Sequence, residues 1–235
     1  MYKKLAKYYD LIYSFKDYKG EIKKIKKLIG KYKNSEGNEL LDVGCGTGKH
    51  LEYLKDKFFC TGCDLNIEML DIAKRNVKGV SFTQADMITM NLKREFDIIL
   101  CLFSGIGHVK TYDNLEKTIL NFSNHLKKGG VVIIEPWLTK SVYDAGRPGM
   151  TTYDAEDIKI ARLNTTKIDN DISILEMYYL IAERDKDIEY FIEKHELGLF
   201  EIDKFLELMN KVGLKAEYLK DGLMGGRGLY IGIKN

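Results

Sequence analysis

Residues 39–50, ELLDVGCGTGKH, constrain this chain more than any other stretch. An apolar run meets Asp42, then three glycines on alternate positions, Gly44, Gly46 and Gly48, and then a helical pattern. Glycine at such density marks backbone that takes positive φ or lies against a ligand. A strand feeding a helix through such a loop aims the helix N-terminus, with its unpaired N–H groups, at a nucleotide-sized ligand.

The rest of the chain repeats the alternation. Apolar runs predict strands near 39–43, 58–63, 80–85, 96–102 and 131–136, with helices over 47–57, 66–76 and 114–127. Asn66 suits an N-cap, Asp113 with Glu116 forms a capping-box pattern, and KKGG at 127–130 reads as a helix end. This order predicts an α/β fold with a doubly wound, mostly parallel sheet. From about residue 151, three strand-like runs split by Asp, Asn and Lys predict a small antiparallel β insertion after strand five. A helix, EIDKFLELMNKVG, and two strands, LKAEYLK and GLYIGIKN, close the chain. The expected division is an N-terminal helical segment over 1–37, a core over 38–137 and 201–235, and an insertion over 138–200.

At 235 residues, 45% apolar and 31% charged, the composition is that of one folded domain carrying an insertion. No apolar run approaches the ~18 residues of a membrane span. The N-terminus lacks a signal-peptide core and four cysteines make no disulfide framework, so a cytoplasmic location is expected. The net charge of +2 is uneven, since residues 1–37 hold eleven lysines against four acids. Ile22, Ile25, Ile29 and Tyr32 fall there at helical spacing. That predicts a surface helix with solvated lysines, the alternative being a contact with nucleic acid or an anionic substrate.

Glycine spacing narrows the ligand. A dinucleotide loop reads G-x-G-x-x-G, but here Lys49 stands where the last glycine would be. Asp42 would repel a pyrophosphate and suits a cationic ligand, or one carrying an ammonium group. Asp64, ending the second strand with Leu65 beside it, can accept from two vicinal ribose hydroxyls. Asp86 can accept from an exocyclic adenine amine, and Met87 can cover the ring. An adenosine with a cationic, phosphate-free tail fits them all, and S-adenosyl-L-methionine is that molecule.

In LDVGCGTG, Asp64, QADM, FDIILCLF and LKKGGVVIIEP, in that order, the chain resembles the seven-stranded, class I S-adenosylmethionine-dependent methyltransferases. The resemblance implies a seven-stranded sheet with an antiparallel last strand, and S-adenosyl-L-homocysteine as product. It implies cofactor contacts from Asp42 and the glycine loop (Gly44, Cys45, Gly46, Gly48), from Asp64, Leu65, Asp86 and Met87, and from the end of strand four at Cys101–Phe103. A narrower resemblance, carried by YYDLIYSFKDY, LFSGIGHVKT, VVIIEPW, KHELGLF and VGLKAEYLKDGLMGGRGLYIGIKN, is to the N,N-dimethyltransferases of nucleotide-linked amino sugars, the desosamine type. It implies that 1–37 is a lid whose tyrosines reach the cofactor carboxylate or the acceptor amine, with Tyr13 facing the acceptor and Tyr18 the cofactor.

Ligands of open α/β sheets bind outside the carboxyl ends of the strands, so acceptor residues belong in the loops there. Arg227 lies among Gly225, Gly226 and Gly228, where a guanidinium can grip an anion bidentately; a plain surface arginine in a hairpin is the alternative. Arg147 in DAGRPGM is a second such candidate. Trp137 can stack on a sugar or base, or pack under the insertion. His108 follows strand four, where the family places acceptor-facing residues, and His195 can line the insertion's inner side. His125 reads either as an active-site residue or as a helix-end cap, and His50 as a structural residue. Cys60 and Cys63 form a lone C-x-x-C, so no metal site is expected, and Cys45 reads as a small filler.

A methyl group on sulfonium is already activated, so in-line attack by a neutral amine needs mainly alignment. Tyr13, His125 or water can take the amine's proton. The expected partner is an anionic small molecule, with the insertion as substrate roof and as a surface for a homodimer, and with no membrane contact. Nucleic acid is disfavoured because CLFSG replaces the Asn/Asp-Pro-Pro-aromatic loop of base methylation. A methyltransferase of another small amine, an RNA or protein methyltransferase, and a non-catalytic cofactor-binding module remain as alternatives.

Overall fold

A computed structural model describes residues 4–235; the first three residues of the expected 1–37 segment lie outside the described residues. Seven strands form the main sheet: β1 (Glu39–Val43), β2 (Phe59–Asp64), β3 (Ser81–Gln84), β4 (Phe96–Cys101), β5 (Leu126–Ile134), β10 (Leu214–Leu219) and β11 (Leu229–Lys234). Their order is β10-β11-β5-β4-β1-β2-β3, and only β11 runs antiparallel to its neighbours. The order reverses between β1 and β4, which opens a crevice at their carboxyl ends.

Alternation along the strands decides which helix packs where. Leu41, Val43, Ile99, Cys101, Val132 and Ile134 share one face with Leu115, Ile119 and Phe122 of α5 (Tyr112–His125) and Phe205 and Met209 of α6 (Ile202–Lys211). Leu40, Ile98, Leu100, Val131 and Ile133 face the other layer. There, after the short α1 (Tyr9–Ile12), α2 (Tyr18–Tyr32) contributes Ile22, Ile25 and Ile29, α3 (Lys49–Leu54) Leu51 and Leu54, and α4 (Ile67–Asn76) Leu70. Each fully buried aliphatic side chain contributes about 1.5–3 kcal/mol, so these two layers carry the fold.

Local chemistry sets the element ends. Asn66 caps α4, its side chain accepting from Met69 N–H at 2.8 Å. Helix α5 begins earlier than the sequence predicts because its cap is Thr111, whose hydroxyl accepts from Asn114 N–H at 3.2 Å. Asp113 lies in the first turn, where its charge suits the helix dipole. KKGG is not the end of α5 but the start of β5. Gly129 takes φ 75°, the β4–β5 ladder shifts register between Phe96 and Ile98, and Gly129 O accepts from Asn34 and Ser35 N–H. A bulge thus absorbs the glycine pair.

A second, antiparallel sheet comprises β6 (Gly149–Asp154), β7 (Ile158–Asp169), β8 (Ile172–Glu183) and β9 (Glu189–Gly198) in that order. The sequence predicts three of these strands; β6, GMTTYD, is short and mostly polar and reads as loop. On the inner face, Ile160, Tyr179, Ile181 and Phe191 pack against Leu5, Tyr8 and Ile12 of the N-terminal segment. Tyr8 donates its hydroxyl proton to Glu183 at 2.7 Å, and Lys7 pairs with Glu183 at 2.5 Å. On the other side, Thr47 donates to Asp10 at 2.6 Å. The N-terminal segment therefore bridges the second sheet and the glycine loop. Among the described residues, no helix is long and apolar enough to cross a membrane.

Candidate active site

A cavity of about 520 Å³ opens at the carboxyl ends of β1, β2 and β4, a size suited to a nucleoside-sized ligand. Its glycine loop is shaped by backbone that other residues resist: Gly44, Gly46 and Gly48 have φ of 71°, 54° and 79°. Gly44 and Cys45 N–H donate to Cys63 O at 2.8 and 3.0 Å, folding the loop over the end of β2. Asp64 then accepts from Gly46 N–H with one oxygen and from Asn66 N–H with the other, both at 2.8 Å. Each oxygen keeps a further lone pair, so two vicinal hydroxyls can still be received.

Asp42 also lines the cavity, is 1% exposed, and has one oxygen without a hydrogen-bond partner among the described residues. Burial, then the nearby Asp64, pushes its carboxyl up to about 8. A cation placed in the cavity would draw it back to a carboxylate. Asp86 accepts from Ile88 N–H at 2.8 Å, and Met87 and exposed Leu65 complete the walls. Cys45 lines the loop, with burial pushing its thiol far above the usual range, as suits a filler.

Cys101 departs from expectation. It is 0% exposed and faces the α5–α6 layer, because residues on one strand face alternate. Its successors Leu102 and Phe103 line the cavity instead.

Tyr9 and Tyr18 close the cavity from the N-terminal side. The Tyr18 ring meets the His50 ring edge-on, with 5.0 Å between centroids. His50 is buried, and its Nε2 lies 2.9 Å from Glu21, which also pairs with buried Lys16. The Lys16 ammonium stands 4.9 Å from the Tyr18 ring and 4.8 Å from that of Phe103.

Beyond Phe103 the remaining candidates gather. His108 lines the cavity, with its ring 5.8 Å from that of buried His195. Burial, then Lys110 beside His108 and His108 beside His195, pulls both imidazoles down to about 4, so both are neutral at pH 7. The Tyr13 ring packs 4.7 Å from Tyr9 and 5.1 Å from Phe103, and its hydroxyl accepts from Arg162 at 2.9 Å. Arg162 is a residue the sequence reading misses. It shares the inner face of β7 with Ile158 and Ile160, a period-two signal present in IKIAR.

Trp137 packs under the insertion: its Nε1–H donates to Ser173 Oγ at 2.9 Å, and the Arg227 guanidinium covers its ring at 4.4 Å. Arg227 also donates to Ser104 Oγ at 2.9 Å.

Of these acceptor candidates His108 lines the cavity, Tyr13, Trp137, His195 and Arg227 lie outside its lining, and two more stay apart from this cluster altogether. Arg147 is exposed on the loop before β6 and does not line the cavity. His125 is spent on the backbone at the end of α5: Nδ1–H donates to Asn121 O at 2.8 Å and Nε2 accepts from Leu92 N–H at 3.0 Å. With neither nitrogen free and the ring outside the cavity, His125 is a helix-end clamp and not a base for the acceptor.

Comparison with known proteins places these features in a family. A model described as "Methyltransferase domain" matches residues 40–130. The dTDP-3-amino-3,4,6-trideoxy-alpha-D-glucopyranose N,N-dimethyltransferase of Streptomyces venezuelae is 32% identical over 97% of this chain and 97% of its own length. The dTDP-4-amino-2,3,4,6-tetradeoxy-D-glucose N,N-dimethyltransferase of Saccharopolyspora spinosa is 33% identical over 98% of this chain and 92% of its own. Among solved structures, Streptomyces venezuelae DesVI superposes with a TM-score of 0.92 at 31% identity, covering 98% of both chains. CalS10, an amino pentose methyltransferase from Micromonospora echinaspora solved with S-adenosylmethionine bound, gives 0.84 at 27% identity over 94% of this chain and 92% of its own. The chain belongs to the class I S-adenosylmethionine-dependent methyltransferases, in the family of the sugar N,N-dimethyltransferases.

Proposed function

We propose that this enzyme transfers methyl groups from S-adenosyl-L-methionine to the amino group of a nucleotide-linked amino sugar. One observation carries the acceptor class. Two guanidiniums lie beside the cavity beyond Phe103, Arg162 on the Tyr13 ring and Arg227 on Ser104 and Trp137, and neither is ion-paired among the described residues. An arginine whose donors are not taken up by a carboxylate suits an anion brought by a ligand, and a diphosphate offers that charge.

The cofactor end supplies the opposite charge. Asp42 faces the sulfonium or ammonium, Asp64 holds the ribose hydroxyls, and Asp86 and Met87 hold the adenine. The bound cofactor supplies an activated methyl group. The amine lone pair forms the C–N bond as the C–S pair returns to sulfur, and positive charge moves from sulfur to nitrogen. The amine must arrive neutral, so its proton passes to water before attack, with Tyr13 and the neutral His108 offering hydrogen bonds to the amine; no strong base is required.

The test is the KM of a dTDP-linked amino sugar. Arg227→Ala removes a charge-assisted contact worth about 2–3 kcal/mol, and KM should rise accordingly while S-adenosylhomocysteine affinity stays. Uncharged alkylamines turned over equally well would replace this reading with that of a small-amine methyltransferase.

The same reading extends to assembly and location. On the outer face of the second sheet, Met150, Leu163, Tyr178 and Ile192 align across four strands, with Leu180 and Tyr190 adjacent; five of these six are about half exposed or more. A second copy covers this face in a homodimer, since monomers rarely leave so contiguous an apolar surface open. All four cysteines are unpaired thiols, which suits a cytoplasmic enzyme.

A further inference from the structure

Arg227 is a half-buried guanidinium with no ion-pair partner among the described residues. Its Nη1 is engaged by Ser104 Oγ at 2.9 Å and Met224 Sδ at 3.8 Å, and its face rests on Trp137. Glu135 presents the complementary oddity. It is 0% exposed, one oxygen accepts from Phe103 N–H at 2.7 Å, and the other has no hydrogen-bond partner among the described residues. A single backbone N–H does not require a charge, because glutamine would accept it equally well. A buried carboxylate is expensive unless its charge is used.

Phe103 and Ser104 join the two. Phe103 and Ser104 are consecutive non-glycine residues in the left-handed region, with φ of 50° and 64°. Such backbone persists only where its surroundings over-determine it. Glu135 holds the turn from one side through Phe103 N–H. On the other side Ser104 donates to Pro136 O at 2.9 Å and accepts from Arg227. Burial pushes the Glu135 carboxyl up, and the Phe103 N–H, then Lys16, then Arg227 oppose this; Lys16 already has Glu21 as its partner, which leaves Arg227 as the cation without one.

We infer that Glu135 is the positioning counter-charge of Arg227: held away from the guanidinium by the Phe103–Ser104 turn, it keeps that cation beside Ser104 and Trp137 without occupying its donors. The Nη2 and Nε groups stay open for the anionic part of the acceptor. Burial disfavours the Arg227 charge, and Glu135 is the first of the groups that oppose this. The inference rests on the reading of Arg227 as the anion anchor.

A double-mutant cycle tests it, with Glu135→Gln, Arg227→Ala and the double variant assayed on a dTDP-linked amino sugar and titrated with S-adenosylhomocysteine. Glutamine keeps the bond to Phe103 and removes only the charge. Glu135→Gln should raise KM about tenfold, the scale of one partly buried charge contact, with kcat and S-adenosylhomocysteine affinity within a few-fold. In the Arg227→Ala background it should add nothing, because it acts through that residue. Glu135→Asp, which keeps the charge but shortens the reach to Phe103, should leave KM within about threefold of the parent, and it serves equally if the glutamine variant does not fold. The inference is overturned if Arg227→Ala raises KM while Glu135→Gln does not, if the two effects multiply, or if Glu135→Asp is as damaging as Arg227→Ala. An unchanged KM in Arg227→Ala would instead overturn the anchor reading, and the counter-charge role with it.

Discussion

Asp42→Asn should abolish a proton release that accompanies cofactor binding. Burial, then the nearby Asp64, pushes the Asp42 carboxyl up to about 8, and one of its oxygens has no hydrogen-bond partner among the described residues. At pH 7 such a group is about 0.9 protonated. A cofactor ammonium or sulfonium roughly 5 Å away would contribute about 3 kcal/mol at an effective dielectric constant near 20. That lowers the carboxyl by about two pH units, so about 0.8 of a proton leaves on binding at pH 7. Affinity should therefore rise with pH from about 6 to about 8, by at most tenfold per unit. Calorimetry of S-adenosylhomocysteine at pH 7, in buffers of different ionisation enthalpy, reads the proton count directly. Adenosine, which lacks the cationic tail, should release none. Equal proton release by parent and Asp42→Asn would refute the reasoning. The same shift acts on stability: the folded enzyme holds this proton above the ordinary 3.8, so the empty protein should lose stability as pH rises from about 4 to about 8, and the asparagine variant should lose less.

Three other outcomes are expected. Asp64→Ala should weaken cofactor binding ten- to a hundredfold, for a loss of about 1.5–3 kcal/mol of charge-assisted bonding; unchanged calorimetric affinity in a folded variant would reject the ribose role. His125→Phe should leave kcat alone and lower unfolding free energy by about 1–3 kcal/mol, because Leu92 N–H loses its buried acceptor; a large kcat loss in a stable variant would restore a catalytic role. Leu180→Lys should shift the sedimenting species from dimer to monomer without loss of fold, and a parent that already sediments as a monomer at micromolar concentration would end the dimer proposal.

What the sequence reveals here is what is local. The glycine loop, its alternating positive-φ positions and the two faces of β1, β4 and β5 are legible because each depends on spacing within a dozen residues. Cys101 is misread for lack of one step of alternation, which separates it from Leu102. Contacts across long separations stay hidden. His50 meets Glu21 only after α2 and α3 pack together, and Lys16 joins them from the turn before α2. His125 finds Leu92 N–H thirty-three positions away, a partner that no helix-end pattern contains. Arg162 becomes a site candidate only when the second sheet turns its inner face toward Tyr13. The N-terminal strap likewise depends on Tyr8 reaching Glu183, at the far end of the chain's longest hairpin.

The central claim is that the acceptor is an amine carried on an anionic nucleotide. It is tested most directly by incubating the purified enzyme with S-adenosyl-L-methionine and a dTDP-linked amino sugar, and following both products by mass spectrometry. The account predicts S-adenosylhomocysteine in step with a sugar nucleotide heavier by one or two methylene units, the added mass residing on nitrogen. It also predicts little transfer to the same amino sugar freed of its nucleotide diphosphate. Equal transfer to the free amino sugar, or none to the nucleotide-linked one while a simple amine is methylated, would contradict it.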